Sequence, residues 1–149
     1  MTTPRAVVRA GVIGLRLPAG DRRAAMAALV ALALVARALR RGGLAGAERR
    51  LARLPRLLPK QCQVTPRRLA TLVSAVAKHV RGAECLAQSL VLARLVREAH
   101  PHDTVVRIGV RPGEGSLSAH AWVELGGVVL NDTDDVANRF PVIETRPPP

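Results

Sequence analysis

The spacing of hydrophobic positions changes once along this chain, from a helical period to an extended one. Between Arg22 and Arg41 every uncharged position is Ala, Leu, Val or Met. Asp21 stands where an N-cap would, and Gly42-Gly43 where a helix would stop, so a helix is predicted over 22–41. A shorter helical stretch, 44–54, ends where Pro55 and Pro59 break the pattern. Thr65-Pro66 then supplies a capping hydroxyl followed by proline at the first helical position. Beyond it Leu69, Leu72, Val73, Val76 and Val80 recur at helical spacing. Gly82 interrupts, and Leu86, Leu90, Val91, Leu95 and Val96 form the apolar face of a further helix over 84–99, ended by Pro101.

Residues 104–111 read as a strand through Val105, Val106, Ile108 and Val110. Pro112-Gly113-Glu114-Gly115 reads as a turn, and 118–125 and 128–132 as two more strands joined through Gly126-Gly127. Residues 1–20 look like an arm or an edge strand at Val12-Ile13-Gly14-Leu15, and Arg146 with the last prolines like a disordered tail. Helices followed by an antiparallel meander predict an α+β fold. The expected division is a basic helical region at 1–64, a core at 65–142 and a Pro-rich tail at 143–149.

Composition refines this picture. A chain of 149 residues accommodates one core, which must be aliphatic because Trp122 and Phe140 are its only Trp, Phe or Tyr residues. Cys62 and Cys85 are too few for a disulfide framework, so a reduced, cytoplasmic protein is expected. Residues 1–68 hold 14 Arg and one Lys against Asp21 and Glu48, net +13, whereas 69–149 hold 8 basic and 9 acidic residues, net −1. The halves are therefore expected to meet different partners. Nucleic acid is set aside as a partner: no aromatic residue is interleaved with the arginines to stack bases, and no zinc-finger spacing occurs. The uncharged stretch 24–36 is too short for the roughly 20 residues that span a bilayer. It is expected to be buried or to face a partner, with attachment to a membrane surface the less favoured alternative.

Chemistry gathers in the second half. Cys85 enters a predicted helix from the loop after Gly82, where the helix's positive end stabilises a thiolate and its free N–H groups can hold an oxyanion. The bland alternative is a buried structural cysteine. On a strand, His120, Trp122 and Glu124 share one face, and a thiol with an imidazole is a standard activated nucleophile. Asn131, Asp132, Asp134 and Asp135 are candidates to orient the imidazole. A two-residue turn at Gly126-Gly127 pairs Leu125 with Val128 and sets Asn131 opposite Trp122. A three-residue turn with Gly127 left-handed puts Asp132 on the His120 face instead. Glu124 reads as an exposed carboxylate, Asp134 and Asp135 as surface charges. His79, His100 and His102 form no metal-ligand spacing with Cys62, and His100 and His102 are expected in an exposed loop. Gly113-Glu114-Gly115-Ser116 lacks the Lys-Ser/Thr of a phosphate loop.

Taken in order, Cys85-Leu86-Ala87-Gln88-Ser89-Leu90, Ile108-Gly109-Val110-Arg111, His120-Ala121-Trp122-Val123-Glu124 and Asn131-Asp132 resemble the lasso-peptide leader peptidases. These are standalone B-type maturation proteases of the transglutaminase-like superfamily, and the resemblance covers about residues 65–142. It implies a transglutaminase/papain-like core, with the Cys at a helix N-terminus packed on an antiparallel sheet carrying His and Asp. It also implies Cys85 as nucleophile, His120 as general base and acid, and Asp132 as the residue that orients His120, which selects the three-residue turn. Gln88 departs from the pattern, where Arg is frequent. The implied activity is removal of the leader from a ribosomally made precursor peptide, without metal or organic cofactor. The implied partners are a leader-recognition protein and a lasso cyclase. Arg49, Arg50 and Arg53 are expected to help dock such partners. A triad of this kind also supports acyl transfer to an amine, and the class alternative is a non-catalytic scaffold that uses the basic helices.

Overall fold

The computed structural model describes residues 17–100, 103–113 and 116–147. The expected N-terminal edge strand, His102 and the Glu114-Gly115 turn lie outside the described residues. The order is α1 (Ala19–Ala52), α2 (Pro66–Ala77), α3 (Cys85–Ala99), β1 (Thr104–Gly113), β2 (Ser116–Leu125), β3 (Val128–Val129), α4 (Val136–Arg139) and β4 (Val142–Arg146). The fold is α+β, and its four-stranded antiparallel sheet runs β3-β2-β1-β4.

Local chemistry explains the helices. Thr65 Oγ1 accepts from Arg68 N–H at 3.3 Å and Pro66 opens α2, as the capping signal predicts. Gly42 and Gly43 break α1: Gly43 takes φ 60°, ψ −160°, and helix resumes at once over 44–52. Asp21 is not the N-cap. Pro18 holds that place, its carbonyl accepting from Arg22 N–H at 3.0 Å, while Asp21 sits in the first turn and pairs with Arg68 at 2.8 Å. An acid suits the first turn because the free N–H groups there carry partial positive charge.

The three helices and one sheet face share a single aliphatic core, in which Ala28, Leu32 and Val35 of α1 join Leu69 and Val73, Leu92 and Val96, and Val106 and Val123. Only one side of α1 is buried in this way. An ion pair ties the end of α1 to α3. Arg94 meets Glu98 at 2.7 Å and donates to the carbonyls of Leu51 at 2.6 Å and Leu54 at 3.1 Å. Glu98 in turn accepts the N–H groups of Leu57 and Leu58, both at 2.8 Å. The segment from 53 to 58 is thereby anchored to α3 through its backbone without forming a regular element.

Two features of the sheet differ from expectation. The Gly126-Gly127 turn has two residues, not three: Leu125 pairs with Val128, and both glycines adopt positive φ, 56° and 81°. Such a turn matches the twist of the strands it joins. Residues 143–146, expected to belong to the Pro-rich tail, form with Val142 a strand that pairs antiparallel with the free edge of β1. Val142, Ile143 and Thr145 suit a pleated edge, and Arg146 is held by Glu48 at 3.0 Å and Glu144 at 3.2 Å. Among the described residues no helix is long and apolar enough to cross a membrane.

Candidate active site

Cys85 is the first residue of α3, after Glu84 in extended conformation. Gly82 turns the chain into this helix at φ 79°, where a side chain would also collide with Arg40 Nη1 at 2.6 Å. The thiol is free and half-buried. The N–H groups of Cys85, Leu86 and Ala87 have no acceptor within the helix. Gln88 donates its side-chain N–H to Ala83 O at 2.8 Å, so it holds the loop that leads into Cys85.

One turn further on, and on the same face of α3 as Cys85, Ser89 is fully buried. Its Oγ donates to Ala121 O at 3.0 Å and accepts from Asn131 Nδ2 at 3.2 Å. Asn131 Oδ1 in turn accepts from Val123 N–H at 2.8 Å. These bonds register the Cys85 face of α3 against β2 beside His120, and they engage both ends of the Asn131 amide.

His120 faces away from the aliphatic core, on the side of β2 that carries Trp122 and Glu124. Its Nε2 lies 2.5 Å from Asp132 Oδ2. Asp132 lies beyond β3, not on it: the chain leaves the ladder after Leu130 N–H bonds Val123 O at 2.9 Å. The register expected to bring Asp132 to His120 is thus wrong, yet the two residues meet. Departure from the sheet, not a shifted turn, lets Asp132 reach round. Asp132 Oδ1 accepts from Thr133 N–H at 2.7 Å and from Arg139. Burial pushes the Asp132 carboxyl up, but the Thr133 N–H, His120 and Arg139 together outweigh it and hold the group below the usual 3.8. An ionised Asp132 accepts the Nε2 proton of a neutral His120, which leaves Nδ1 as the basic nitrogen.

The imidazole is packed as well as hydrogen-bonded. Phe140 lies 5.0 Å from it, tilted by 37°, and Trp122 lies 6.2 Å away, nearly parallel. Trp122 is buried with Val129, Val136 and Phe140 in a second apolar cluster, and its Nε1 donates to Glu124 at 3.0 Å. Glu124 also pairs with Arg107 at 3.0 Å, so it is a half-buried anchor and not the exposed carboxylate expected. Gly109 stands opposite His120 in the ladder, and a Cβ there would lie 2.4 Å from Phe140 O. Sequence reasoning gave Gly109 and Phe140 no part in this; the available signal was a glycine in the middle of a β-branched strand.

Other sites resolve into structure. Arg139 bonds Asp132 and Thr133 and lies 3.4 Å from the exposed Asp135. His100, expected in an exposed loop, is half-buried with Nε2 3.0 Å from Val64 O. Among the described residues no three of His, Cys, Asp and Glu gather as a metal site. A family model described as the transglutaminase-like superfamily matches residues 28–145, from within α1 to within β4. Comparison with curated proteins and with solved structures returns no significant match.

Proposed function

The chain belongs to the transglutaminase-like superfamily, and from that premise we propose that it is a cysteine peptidase removing the leader from a lasso-peptide precursor. The observation that carries this reading is the His120–Asp132 pair beside the sheet position on which the Cys85 helix is registered. The motif order from Cys85 to Asp132 supplies the narrower, lasso-peptide part.

In this mechanism the Cys85 thiolate attacks the carbonyl carbon of the leader–core peptide bond, forming a C–S bond. Free N–H groups of the first turn of α3 stabilise the negative oxygen. His120, having taken the thiol proton at Nδ1, delivers it to the departing core amine as the C–N bond breaks. Water, deprotonated by His120, then hydrolyses the thioester and releases the leader as a free carboxylate. Asp132 keeps Nε2–H engaged throughout and offsets the imidazolium charge. A leader-recognition protein presents the precursor, and a cyclase uses the freed amine. Arg49, Arg50 and Arg53, all exposed, suit docking of such a partner or of an acidic leader segment.

Mass spectrometry of a matched precursor incubated with its recognition protein tests this reading. Cleavage at one bond by the wild type and not by Cys85→Ala supports it. An amine-linked leader in place of a free carboxylate would mark acyl transfer, and equal pathway activity of Cys85→Ala would mark a non-catalytic scaffold.

A further inference from the structure

The side of α1 turned away from α2 and α3 plays no part in the candidate active site, yet it has a definite pattern. Met26, Leu29 and Val30 are 60%, 36% and 50% exposed. They stand at i, i+3 and i+4, and exposed Ala33 extends the strip by another turn. The same spacing runs into arginine in both directions. Arg22 and Arg23 precede Met26 by four and three residues, and Arg37 and Arg41 follow Ala33 by four and eight, all exposed. No described acid pairs with any of these four guanidinium groups. The nearest acid in sequence, Asp21, is buried and turned to Arg68. One face of a single helix therefore reads cationic, apolar, cationic over about 28 Å at 1.5 Å per residue.

Both the size of the strip and its charge bear on what covers it. Three partly exposed aliphatic side chains fall far short of the roughly 800 Å² that each partner of a specific protein complex buries. A protein would also have to offer carboxylates beyond both ends of so small a contact. A bilayer with anionic headgroups meets both demands. The strip enters the boundary between headgroups and acyl chains, while the long arginine stems lie along it and their heads reach the phosphates. We propose that this face of α1 docks the protein peripherally on an anionic lipid surface, with α1 lying in the plane of the interface. The helix does not cross the bilayer.

Sedimentation of the full chain with vesicles tests this. The proposal expects binding to vesicles of mixed phosphatidylcholine and phosphatidylglycerol, little binding to phosphatidylcholine alone, and release by high salt. Each arginine at such a surface is worth about fivefold in partitioning, so Arg37→Gln/Arg41→Gln should weaken binding roughly 25-fold. Val30→Asp, at an exposed position that leaves the core intact, should remove most of what remains, with an unchanged melting temperature showing that the fold survives. Failure of the wild type to bind anionic vesicles overturns the proposal, as does binding that the two variants leave unaltered. A wild type that ignores vesicles but loses a protein partner on Val30→Asp would assign the face to that protein instead.

Discussion

Replacing Gly109 by alanine probes how the outer face of the sheet holds His120. The added methyl carbon would lie 2.4 Å from Phe140 O and 2.9 Å from Phe140 C and Cβ. Favourable separations between such atoms are about 3.5 Å, so the backbone at Phe140 must retreat by roughly 1 Å. It is not free to do so, because Val110 N–H bonds Pro141 O at 3.1 Å and β4 is paired to β1. Overpacking costs about 1–3 kcal/mol, and a backbone obstacle belongs near the upper end. Removing a glycine from a strand interior returns roughly 0.5–1 kcal/mol. The net is a loss of about 2 kcal/mol, or roughly 4–8 °C in melting temperature for a chain of this size. Because the Phe140 ring lies 5.0 Å from the imidazole, the same displacement tilts His120. A misplacement of about 1 Å lowers turnover by about 10²-fold. Thermal melts and kcat and KM on the precursor are the assays, with kcat expected to fall and KM to hold. Gly42→Ala is the control, since nothing lies within 4 Å of its Cβ and its φ of −137° suits any residue. A Gly109→Ala protein that melts like the wild type would refute the steric argument. One that loses stability but keeps its kcat would show that Phe140 does not position His120.

Asp132→Asn should keep the shape of the pair but lose its charge, lowering kcat/KM at pH 7 by about 10³-fold or more. Because the folded Asp132 carboxyl lies below 3.8, its contribution to stability is complete above that value and disappears as pH falls through the folded pKa. The melting-temperature difference between wild type and Asp132→Asn should therefore shrink as pH falls below about 3.8. At the far end of α3, Glu98→Ala strands the half-buried Arg94 and two backbone N–H groups, and should cost about 3 kcal/mol in urea unfolding. Arg94→Met with Glu98→Met should cost less than the two single changes added together. Charge reversal at Arg49, Arg50 and Arg53 should slow processing that depends on the recognition protein and leave the cleavage rate of a short peptide unchanged. Equal slowing of both would place those residues outside docking.

Much of the fold is legible in local pattern. The Thr65-Pro66 cap, the glycine break after Arg41, the start of α3 at Cys85 and the alternation of β1 and β2 each depend on neighbours within a few residues, which the chain itself supplies. The same holds for the common face of His120, Trp122 and Glu124, since a strand's period of two needs no partner. Asn131 and Asp132 could not be told apart in this way. Their roles turn on Ser89, 42 residues from Asn131, which holds the Asn131 amide against α3 while Asp132 swings past the end of the ladder to His120. Nor could β4 be read, because a five-residue segment between prolines becomes a strand only when the edge of β1 offers its hydrogen bonds. Arg94 and Glu98 look like an ordinary i,i+4 surface pair until the loop after α1 closes over them. Periodicity and capping are properties of a segment and can be read from it. The register of a helix on a sheet and the partner of a buried charge belong to pairs of segments, and only packing brings those pairs together.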